Sequence, residues 1–80
     1  MPHIRKLPRE VYIGPGKGKI SIAVLAHEDF TTRFGENCAG AWEKDASTIY
    51  LRSDFSLTRQ WRAWREEMAH ALLDSLAPEV

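Results

Sequence analysis

Cysteine is nearly absent: Cys38 is the single thiol in 80 residues. No disulfide can close within the chain, and a lone reduced thiol fits a reducing compartment. An excess of charge of one sign is also lacking. The 11 basic and 11 acidic residues cancel, so the broad cationic field that nucleic-acid binders carry is not there. No apolar run approaches the about 18 residues that suggest a membrane span. Met1-Pro2-His3-Ile4-Arg5-Lys6 is not followed by the apolar stretch of a signal peptide. No repeat or low-complexity tract interrupts the chain. These absences point to the cytoplasm of its own cell or of a host, with virion association as a further setting. They point away from membranes and nucleic acid as partners and leave a protein partner or self-assembly.

What is there reads as one small domain spanning residues 1–80. With 44% hydrophobic and 28% charged residues, the composition is that of a folded chain, not a disordered one. A chain this short hides only roughly 60–65% of its unfolded surface, so its core is modest.

Residues 1–9 read as an irregular lead-in, and Val11-Tyr12-Ile13 as a short strand. Gly14-Pro15-Gly16-Lys17-Gly18-Lys19 is turn chemistry, since glycine supplies positive φ and proline fixes its own. Ile20, Ile22 and Val24 alternate with Ser21 and Ala23 along a second strand ending at Leu25. Residues 26–35 suit a short helix or a loop, with His27 placed in a loop. Ala41-Trp42-Glu43-Lys44 and Thr48-Ile49-Tyr50-Leu51-Arg52 read as a hairpin joined by Asp45-Ala46-Ser47.

From Leu57 to Leu76 there is neither glycine nor proline, Ser56 is a reasonable N-cap, and Pro78 stops the helix. At about 100° per residue, Leu57, Trp61, Trp64, Met68, Ala71 and Leu72 fall on one stripe. The expected fold class is therefore α+β: a small antiparallel sheet of three or four strands packed against one long C-terminal helix. Arg59, Arg62 and Arg65 lie at helical spacing and read as a solvated helix edge paired with nearby carboxylates. Phe30, Phe34, Trp42 and Tyr50 fall outside the stripe; some complete the core, and any left outside are candidate contacts.

The helix also carries ionisable groups. Glu66, His70 and Asp74 are spaced i, i+4, i+8 and form a column drifting about 40° per step, roughly opposite the stripe. Glu67 lies about 100° from Glu66 and flanks His70. Zinc hydrolases place His-Glu-x-x-His on a helix because two imidazoles one turn apart grip one ion and the intervening glutamate addresses the metal-bound water. Here the five positions read Glu66-Glu67-Met68-Ala69-His70, with glutamate at the first ligand position.

The stretch from Gly35 to Asp74 resembles the core of small zincin-like metallopeptidase domains common in phage and prophage genomes. The resemblance rests on Gly35-Glu36-Asn37-Cys38, the strand Thr48-Ile49-Tyr50-Leu51, the turn Ser53-Asp54-Phe55-Ser56 and the run Glu66-Glu67-Met68-Ala69-His70-Ala71-Leu72-Leu73. It implies Glu67 as general base and His70 as a zinc ligand. Glu66 would stand as an oxygen ligand, and Asp74 or Glu79 would supply the third.

Because the first histidine of the motif is replaced, the degenerate zincin-like scaffold is expected to act mainly by protein–protein binding or assembly. A zinc-dependent hydrolase and an unrelated α+β interaction module are the alternatives. Two other strings carry no chemistry. His27-Glu28-Asp29-Phe30-Thr31 lacks a second imidazole, and Gly14–Lys19 is followed by Ile20 and a strand rather than by Ser/Thr and a helix. Cys38 reads as an ordinary reduced, partly buried thiol.

Overall fold

The computed structural model describes residues 5–14 and 18–76. The glycine-rich turn at 15–17 and Glu79 lie outside the described residues. In chain order the elements are β1 (Glu10–Gly14), β2 (Gly18–Leu25), α1 (His27–Phe34), β3 (Gly40–Glu43), β4 (Thr48–Arg52) and α2 (Leu57–Leu76). The class is α+β, as expected.

The sheet is four-stranded, ordered β1-β2-β4-β3. The pairs β1/β2 and β3/β4 are antiparallel, but β2 and β4 run parallel, Ser21 opposite Thr48 and Leu25 opposite Arg52. The sheet is thus mixed, which corrects the antiparallel expectation. The cause is the connection: parallel neighbours need a crossover, and α1 and β3 supply it. The chain leaves β2 through α1, lays down β3 as the far edge, and returns β4 to the centre. Ser47 ties the β3–β4 turn to β2. It sits at φ 49°, its hydroxyl donates to the Lys19 carbonyl (2.8 Å), and its own carbonyl accepts from Ser21 N–H (2.9 Å).

Residues 27–34 are helical, so His27 opens α1 and is not a loop residue. Phe30 and Phe34, one turn apart, explain the helix: Phe30 is fully buried, and Phe34 lies 4.9 Å from it and 5.3 Å from Tyr50 between ring centroids. Gly35, at φ 87°, ends the helix.

The other sheet face carries the main core. Ile20, Ile49 and Leu51 are buried there with Ala63, Met68 and Ala71 of α2, and Leu7, Val11, Ile22, Trp42 and Trp64 pack around them. Helix α2 starts where the sequence placed it, Ser56 Oγ accepting the Arg59 N–H at 3.3 Å.

Its roll differs from the expected stripe. Met68 and Ala71 are buried and Trp61 and Trp64 half-buried, but Ala63 goes inside and Leu72 turns out to 37% exposure. Gly40 gives the reason. A Cβ there would stand 3.1 Å from Glu67 Cγ, 3.2 Å from Leu51 Cδ2 and 3.4 Å from Ala63 Cβ. Two small residues let the helix settle close to β3 and β4, which draws Ala63 and the Glu67 stem toward the sheet.

Arg52 is the one charged residue buried among those described, at 6% exposure. Its Nε and Nη2 donate to the two Asp54 carboxylate oxygens (3.1 and 2.9 Å), and Nη1 donates to the Glu36 carbonyl (3.1 Å) and the Cys38 carbonyl (3.4 Å). Its guanidinium carbon lies 4.4 Å from the Phe55 ring centroid. One side chain thereby joins the end of β4 to the loop before β3 and the turn before α2.

Candidate functional site

Glu66, Glu67, His70 and Asp74 of α2 do not share one environment. Glu66 and His70 are exposed, whereas Glu67 is half-covered. Glu67 reaches that position because the helix rolls toward Gly40, whose missing side chain leaves room for the glutamate stem. Burial raises the Glu67 carboxyl above the ordinary carboxylate range. The nearby His70 pulls it down and the like charge of Glu66 pushes it up, both more weakly. A carboxylate displaced in this direction is a stronger proton acceptor than an exposed one.

Asp74 has another task. Its carboxylate accepts a hydrogen bond from Trp42 Nε1 at 2.6 Å. The contact fastens the C-terminal half of α2 to the edge strand β3.

Among the described residues, no three His, Cys, Asp or Glu side chains gather closely enough to hold a metal ion. Glu66, His70 and Asp74 accordingly form no such group among the described residues. Cys38 is exposed, not partly buried, and free.

The arginines of α2 also depart from expectation. The ion pairs among the described residues are Lys19–Glu10, Arg33–Glu43 and Arg52–Asp54. Arg59, Arg62 and Arg65 join none of them. Arg59 instead stacks on Phe55, its guanidinium carbon 3.7 Å from the ring centroid. With Ala39, Phe55, Ala63 and Glu66, Arg59 and Arg62 line an open hollow of about 150 Å³. The sequence signal for that stack was Phe55 four residues before Arg59.

Phe30 is buried, and Phe34, Trp42 and Tyr50 are half-buried. Among the described residues, the exposed large apolar side chains are Tyr12, Val24, Leu72 and Leu73. Leu72 and Leu73 sit with exposed Ala69 on the outer surface of α2, at i, i+3 and i+4, and exposed Arg65 lies one turn earlier. No helix among the described residues is long and apolar enough to cross a membrane. Compared with family models, curated proteins and solved structures, the chain matches none, so its site rests on the geometry of its own residues.

Proposed function

We propose that the chain is a non-catalytic binding module, a degenerate zincin-like domain of phage or prophage type that engages another protein through the outer surface of α2. The observation that carries this reading is Leu73, 69% exposed, beside Leu72 and Ala69 on a helix whose opposite side already fills the core. Adjacent exposed apolar side chains on one helix surface suit a helix-in-groove contact. The partner is a protein with an apolar groove and an acidic rim, because Arg65, exposed and in no ion pair among the described residues, stands at the end of the ridge. The zinc-hydrolase alternative draws only on Glu67.

The test is affinity capture from cells that make the chain, then binding of the purified captured protein. Leu73→Asp is expected to weaken that binding by at least about tenfold, a loss of about 1.4 kcal/mol, with the far-ultraviolet spectrum unchanged. Equal binding by Leu73→Asp would sink the ridge. One equivalent of zinc on the purified chain, released by His70→Ala, would move the reading to the hydrolase.

A further inference from the structure

The hollow at the N-terminal half of α2 is unlike an ordinary helix edge. Ala39 and Ala63 give it small apolar walls, Arg59 and Arg62 contribute two cations, and Glu66 contributes one anion. A solvated arginine sweeps many rotamers, but the guanidinium carbon of Arg59 lies over the Phe55 ring, 3.7 Å from its centroid. A stacked guanidinium keeps the N–H groups at its edge available, and that edge matches a carboxylate in a two-pronged contact. Neither Arg59 nor Arg62 forms an ion pair with a carboxylate among the described residues. Two cations lining one hollow favour an anion within it.

We infer that this hollow receives a single carboxylate, the side chain of an aspartate or glutamate on a protein partner, between Arg59 and Arg62. Two guanidinium groups against one glutamate leave the hollow with one net positive charge. One carboxylate neutralises that charge. Glu66 also offers an acceptor to the backbone N–H of the residue that brings the carboxylate. The volume of about 150 Å³ suits a side chain. The inference rests on the protein-binding reading for the source of the carboxylate, and on the hollow alone for its chemistry.

The experiment is a nuclear magnetic resonance titration of the whole chain with acetyl-glutamate methylamide, its glutamine counterpart and inorganic phosphate, at neutral pH. The glutamate compound is expected to shift the side-chain N–H signals of Arg59 and Arg62 and the amide signals of Ala39 and Ala63 along a saturating curve. The glutamine compound leaves them in place, and phosphate binds more weakly. Arg62→Gln, which leaves the Phe55 stack intact, weakens the glutamate compound by about fivefold or more while signal dispersion is retained. Equal response to both amino-acid compounds, or an unchanged titration of Arg62→Gln, overturns the site. Phosphate binding as tightly as the glutamate compound overturns the choice of a carboxylate. Leu73→Asp leaves this titration unchanged even where it abolishes capture of a partner, so failure of the ridge and failure of the hollow are told apart.

Discussion

Arg52 and Glu67 are both charged residues drawn toward the interior, and the protein treats them in opposite ways. Arg52 spends its guanidinium donors on a two-pronged contact with Asp54 and on two loop carbonyls. Glu67 is half-covered with no hydrogen bond or ion pair to its carboxylate among the described residues, and its proton affinity rises instead. A buried charge that is fully paired holds a structure together; one left unpaired costs stability and is retained for some other reason. The contrast separates the structural end of the sheet, around β4 and its turn, from the edge beside β3.

The largest expected effect is at Arg52. Arg52→Ala removes every one of those contacts and strands the carbonyls of Glu36 and Cys38, for a loss of about 3–5 kcal/mol. A domain of this size has only roughly 4–12 kcal/mol in hand, so the loss is a large share of the total and the urea midpoint should fall by more than about 1 M. A small shift would mean that water serves the carbonyls as well as Arg52 does.

The next effect concerns acid. The hydrogen bond from Arg52 holds the Asp54 carboxyl below its ordinary range, with the Coulombic attraction of Arg52 a lesser cause. Its folded pKa lies below its unfolded one. The stabilisation is therefore complete above the unfolded value near 4 and is lost as pH falls through the folded value. Unfolding measured from pH about 6 down to about 2 should show that loss in the natural chain and a flatter profile in Asp54→Asn. Parallel profiles would break the pairing.

The smallest effect is at Glu67, with the opposite sign. Its folded pKa is raised, so the ionised form is penalised, and stability falls as pH rises from the unfolded value near 4.5 through the folded one. Glu67→Gln should remove that fall and stabilise the protein at neutral pH by about 0.5 kcal/mol or less. Destabilisation by Glu67→Gln would show that the carboxylate has a favourable partner and would erase the contrast with Arg52.

The strands and α2 were legible because period-2 alternation from Ile20 to Val24 and an uninterrupted run between Ser56 and Pro78 are local signals. The direction of β4 relative to β2 was not, since nothing within either strand records which way its neighbour runs. The roll of α2 was misjudged because Trp61, Trp64 and Leu72 dominate any count of apolar area, whereas the deciding residues, Gly40 and Ala63, contribute little of it. Helix α1 had a readable sign in Phe30 and Phe34 at i, i+4. Arg52 had one too, an arginine ending an apolar strand with an aspartate two residues on. In the site, the residues Glu66, Glu67, His70 and Asp74 were identifiable, but their separate environments were not. The bond from Trp42 to Asp74 spans 32 residues, and no spacing rule reaches that far.

The parallel seam between β2 and β4 also governs how the protein comes into being. As the chain emerges from the ribosome, the β1–β2 hairpin appears early, but its inner neighbour β4 is the last of the four described strands to be made. Until residues 48–52 arrive, the hydrogen-bonding edge of β2 has no mate, and Ile20 and Ile22 have no lid until α2 follows. Non-local pairing of this kind sets a slow pace for a small protein. For that interval the nascent chain offers an open template to any passing strand, and a chaperone or a neighbouring copy could claim it first.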